Sequence, residues 1–216
     1  MVGGGGNPDE QNVVASYRGL RRGIGILGLI LPFVLAIGYM GWRDSVSAFY
    51  YTDMRNWFVG SMWATGFFLI FYRFGKLDDV LSSVAGVLAI LVALFPTTPP
   101  VLDPALHQKV IGDLHLTFAA GFLLLLAFFC GFLFTKSGPV MTDQKKLRNK
   151  IYRGSAIAIT AGVIVAGLFD VLTSGSFRHS WHPVFWCESV AVVAFGVSWL
   201  IKGETLFQDK DGQVPA

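Results

Sequence analysis

Six apolar stretches, Gly23–Trp42, Trp57–Tyr72, Val80–Phe95, Val110–Phe134, Ile151–Leu172 and Pro183–Ile201, occupy more than half of this chain. A hydrocarbon layer of ~30 Å takes about 20 residues of helix to cross. Within it each backbone polar group has to be satisfied inside its own segment or in a closed barrel. The stretches lack the apolar–polar alternation of barrel strands. They therefore imply an all-α fold, a polytopic transmembrane bundle of six helices. Composition agrees: 14% of residues are charged, against about a quarter in a soluble domain. The second and third stretches are short and have to borrow residues from their flanks.

The basic residues set the expected orientation. Thirteen of the 17 Lys and Arg residues lie on one side: Arg18, Arg21 and Arg22, then Arg73 and Lys76, then the run from Lys136 to Arg153, then Lys202 and Lys210. Only Arg43, Arg55, Lys109 and Arg178 lie on the other. Positive charge stays in the cytoplasm, so both termini are expected there, in the cell membrane. The expected layout is a flexible cytoplasmic arm over 1–22, a transmembrane domain over 23–203 and a cytoplasmic tail over 204–216. The net charge of +3 follows from this bias and implies no nucleic-acid partner. Membrane lipid is the expected partner, and attraction to anionic lipid accounts for the basic loop Lys136–Lys150. The sequence leaves the oligomeric state open.

Inside Ile151–Gly175, the residues Gly154, Ala158, Gly162, Ala166 and Asp170 recur every four positions. On a helix they form one narrow small face that ends in a carboxylate. Small faces let transmembrane helices approach closely, and an acid on that face is expected to point into the bundle. Pro32 is expected to kink the first helix or to free a carbonyl within it. Cys130 and Cys187 fall near opposite membrane faces, poorly placed to pair.

The four histidines, His107, His115, His179 and His182, all fall at or near the expected outer face, as do Asp113, Asp170 and Glu188. The inner half shows no comparable group, which suggests a cavity opening outward. The first outer loop, RDSVSAFYYTDMRN, reads either as an interfacial aromatic belt or as a lid over the bundle mouth. His179-x-x-His182 lies in a loop and is a weak zinc signal, so neither a metal nor another cofactor is expected.

A buried acid among aromatic rings is able to protonate an alkene or a leaving group, and the ring faces then stabilise a cation. On this reading Asp170, Glu188, Asp53 and Asp113 are the candidate catalytic acids. Tyr51, Trp186, Arg55 and His115 are the candidate substrate-binding residues, and the substrate is a lipid or an isoprenoid. Two alternatives stay open, an accessory or structural membrane subunit and a proton-linked transporter.

The runs SVSAFYYTDMRNWFVG, AGVLAILVALFPT, RNKIYR and VFWCESVAVVAFGVSWLIKG resemble a widespread group of small bacterial multi-pass proteins, grouped as a domain of unknown function. The resemblance spans roughly Ser45 to Gly203 and implies a shared six-helix fold, with no settled activity to carry over. In type alone, the acids and aromatics are similar to those of the small metal-independent membrane terpene cyclases.

Overall fold

The computed structural model describes residues 8–72, 75–138 and 141–203. Within the expected arm and tail, residues 1–7 and 204–216 lie outside this range, as do Arg73 and Lys210. Among the described residues the chain is all helical, with no strand. The helices are α1 (Pro8–Tyr39), α2 (Arg55–Ile70), α3 (Lys76–Leu94), α4 (Leu106–Phe128), α5 (Asp143–Leu172), α6 (Gly175–Trp181) and α7 (Pro183–Lys202). A 3-10 turn covers Ser47–Tyr51, and a π-helical turn, Phe129–Leu133, prolongs α4.

Among the described residues five helices are long and apolar enough to cross a membrane: Arg18–Tyr39 of α1, α3, α4 with its π-turn, α5 and α7. The chain thus has the architecture of a multi-pass membrane protein. The 16 residues of α2 make only about 24 Å of helix, short of the apolar layer.

Two boundaries depart from expectation. The arm is helical from Pro8, so α1 runs well before Gly23, and Pro32 sits inside it without ending it. The stretch after Thr173 is not a plain loop. Ser174 accepts a hydrogen bond from the Phe177 amide and so caps α6, which carries His179. His182 then turns the chain into α7 with a left-handed backbone, φ 47°.

The long helices form a closed ring. Each of α1 to α4 packs on the next in sequence, and α7 closes the circle against α5 and α1. Glycines permit the closest contacts. A Cβ on Gly196 would lie 2.5 Å from the Leu29 nitrogen, and one on Gly86 would lie 2.5 Å from the Gly66 carbonyl oxygen. Side chains at these positions would hold α1 off α7 and α2 off α3.

The small face expected on α5 is not its packing face. Gly154 has nothing near its missing Cβ, whereas Gly162 meets α7 tightly, at the Cys187 carbonyl oxygen. The buried face is Tyr152, Ser155, Ile159 and Gly162. Asp170 consequently does not enter the bundle, and its side chain is 57% exposed. The far end of the stripe lies off the buried face of α5, and there the carboxylate meets Arg178 instead.

The core has two parts. One contains Leu35, Phe49, Phe58, Met62 and Phe185. The other centres on Trp199, fully buried among Tyr72, Phe129, Phe134 and Phe195 with ring centroids 4.8–5.8 Å away. Cys130 is a free, buried thiol in this second part, and Cys187 is free beside Gly162.

Candidate functional site

Hydrogen bonds define two ends of the bundle. At what we term the histidine end, Tyr51 donates to the Thr97 carbonyl at 2.6 Å, and the Phe185 amide donates to the Asp44 carbonyl at 3.1 Å. At the lysine end, Lys136 Nζ meets Asp78 Oδ1 at 3.0 Å, and Arg21 donates to the Lys202 carbonyl.

The segment after α1 folds back onto the histidine end. Its 3-10 turn places Phe49 wholly in the core, against Phe185 and Tyr39. Thr52 sets the exit from that turn, with its hydroxyl donating to the Phe49 carbonyl and accepting from the Met54 amide. The segment thus covers the bundle mouth.

Glu188 holds this cover in place. Its Oε2 accepts from the Val46 amide at 2.7 Å, and the Ser47 amide is also bonded to the carboxylate. Among the described residues no cation pairs with Glu188, so its partners are neutral backbone donors. One turn before it, Phe185 and Trp186 join Trp42 in an aromatic group with centroids 4.8–5.4 Å apart.

The remaining acids are dispersed. Asp170 feels the charge of Glu188, but its partner is Arg178, which lies 3.7 Å from Oδ1 and also bonds the Asp170 carbonyl. Asp53 and Asp113 are exposed. Arg55 donates to the Tyr50 hydroxyl at 2.6 Å and stacks over that ring. Tyr51 is bound to Thr97, and burial followed by the neighbouring Tyr50 raises its pKa above the usual tyrosine value. His115 is only 1% exposed, with Nδ1 donating to the Phe95 carbonyl at 2.6 Å. That bond ties α4 to the end of α3. Of the eight residues singled out, Glu188 and Trp186 share one small region with Asp170 within electrostatic reach, and Tyr51 and Arg55 share another around Tyr50.

Asp44 was missed as a partner of the histidine pair. His179 Nδ1 lies 3.3 Å from Asp44 Oδ1, and His182 Nδ1 lies 3.4 Å from the same oxygen but out of line for a hydrogen bond. Among the described residues no three His, Cys, Asp or Glu side chains are grouped to hold a metal ion.

The lysine end also carries buried polar groups. Arg21 is 7% exposed and lies over the Tyr72 ring, and Asn149 is buried. A cavity of about 420 Å³ opens there, lined by Tyr72, Lys76, Asp78, Phe134, Lys136 and Lys202 among others. A second, more open groove of about 360 Å³ runs between α1 and α2 past Leu27, Trp57 and Gly60.

No protein-family model, no curated protein and no solved structure matches this chain.

Proposed function

We propose that this chain is a six-span protein of the cell membrane with both termini cytoplasmic, of the type seen in the small bacterial family it resembles. On this reading the histidine end faces outward, and Glu188 acts there as an acid on a lipid or isoprenoid. One observation carries it. Glu188 is an intramembrane carboxylate with only backbone amides as hydrogen-bond partners, set beside the rings of Phe185, Trp186 and Trp42. An acid in such a setting marks function by default. The cover that holds it is a short turn, whose release would present the carboxyl group to a ligand from the outer leaflet. The groove past Trp57 supports lipid contact on the neighbouring flank.

The test is conversion of host membrane lipids by the purified protein in lipid nanodiscs, with native mass spectrometry reading any bound mass. Conversion that is present in the natural protein and absent in Glu188→Gln supports the reading. Equal conversion by both would sink it.

The same hydrogen bond favours one second reading, an accessory subunit in which Glu188 only fixes the outer surface for a partner. Co-release of a stoichiometric protein, with no lipid conversion, selects that reading. A transporter is the weaker alternative, because Trp199 and its surrounding rings fill the lysine half of the bundle.

A further inference from the structure

The cavity at the lysine end is built by three separate parts of the chain. The start of α3 supplies Lys76 and Asp78, the end of α4 and its following turn supply Phe134 and Lys136, and the end of α7 supplies Lys202. Among the described residues, the cations around it outnumber the two neighbouring acids, Asp78 and Asp79. Asp78 is taken up by Lys136 at 3.0 Å. Lys76 has no ion-pair partner among the described residues. Lys202 stands over the Phe134 ring, within electrostatic reach of three cations, Arg21, Lys145 and Arg148, and of one acid, Asp78.

Like charges crowded beside apolar walls repel one another strongly, because low-dielectric surroundings screen them less than water does. An anion lowers that repulsion and accepts charge-assisted hydrogen bonds from the ammonium groups. Attraction to a bilayer surface needs no cavity, since exposed lysines suffice for it. Here three lysines from separate parts of the chain line one open-mouthed cavity of about 420 Å³ instead.

We infer that the cavity lined by Lys76, Lys136 and Lys202 is a binding site for an anionic phosphate group. Two sources offer that chemistry, the headgroup of an acidic phospholipid and a free phosphate compound. The site is at the opposite end of the bundle from Glu188, and the inference stands independently of the reading given for that residue.

The experiment uses the full chain in detergent, stripped of lipid. Its thermal midpoint is read with phosphatidylglycerol, phosphatidylcholine or inorganic phosphate, and native mass spectrometry gives the affinity. A rise of about 5 °C with phosphatidylglycerol alone, at a large excess over Kd, assigns a lipid headgroup. A similar rise with inorganic phosphate assigns a free phosphate compound.

Lys76→Ala, at an exposed position, should weaken binding by about tenfold through the loss of one charged contact. Lys109→Ala and Lys109→Gln alter a lysine at the opposite end of the bundle and should leave it unchanged. No shift with either probe, phosphatidylcholine acting as strongly as phosphatidylglycerol, or control variants weakening binding as much as Lys76→Ala would overturn the inference.

Discussion

The Val46 amide and the Glu188 carboxylate, 142 positions apart in the chain, meet at 2.7 Å. The bond joins the cover of the histidine end to the last helix. Replacing Glu188 by Ala leaves the Val46 N–H without its acceptor, whereas Gln keeps an oxygen in place and removes the charge. Glu188→Ala should therefore lose about 1–3 kcal/mol of stability and Glu188→Gln distinctly less. Denaturant unfolding in detergent reads the difference, and equal losses would remove the bond from the account.

Two glycines on facing helices separate contact from composition. A Cβ at Gly196 meets the backbone of α1 at 2.5 Å, whereas one at Gly154 meets nothing within 4 Å. Gly196→Ala should cost about 1–3 kcal/mol by overpacking. Gly154→Ala should be neutral or stabilise by up to about 1 kcal/mol through helix propensity. Thermal midpoints of the purified variants check the contrast.

His115 is a structural tie between α3 and α4, through its 2.6 Å bond to the Phe95 carbonyl. His115→Ala removes the donor and opens a cavity, a combined loss of about 2–4 kcal/mol. Any lipid conversion should survive at temperatures where the variant remains folded. Conversion abolished in a folded His115→Ala protein would instead place the histidine in a ligand site.

Topology is open to direct labelling. In a chain whose Cys130 and Cys187 are replaced by Ser, Asp103→Cys should react with a membrane-impermeant maleimide in intact cells. Ser137→Cys should react only after permeabilisation. The reverse pattern would turn the protein over and move Glu188 to the cytoplasmic side.

The histidine end should loosen at high pH. Tyr51 has its pKa raised in the folded state, by burial first and by Tyr50 second. A raised tyrosine pKa means that its stabilising contribution is complete below pH ~10 and is lost as pH rises through the folded value. The midpoint should fall above that pH, and Tyr51→Phe should show a shallower fall.

Much of the fold was legible because apolar length is a strong signal, and the segments marked from hydropathy lie on six of the helices. The seven-residue α6 was not, since Gly175–Trp181 mixes Ser, Arg and His and owes its helix to a cap and to its neighbours. The α5 stripe misled for a different reason. Spacing identifies which residues share a face, but the partner helix decides which face is used, and here the two faces overlap only at Gly162.

Glu188 stood out in the sequence as an acid within an apolar stretch, although its bond to Val46 was not legible there. The lysine-end cavity was hidden because its cations also serve as the topology signal, and because Tyr72, Lys136 and Lys202 come together only through tertiary packing.

Closure of the ring by α7 against α1 has a consequence for biogenesis. A chain made from its N-terminus delivers α1 to the membrane first and α7 last. Until α7 arrives, Gly25 and Gly28 of α1 lack the helix they fit, and the Val46 amide and the Asp44 carbonyl lack Glu188 and the Phe185 amide. A ribosome stalled before Pro183 would thus hold a bundle with an open seam, ready to be held by an insertase or removed by a membrane protease. The helix that enters the bilayer first is the one whose packing is completed last.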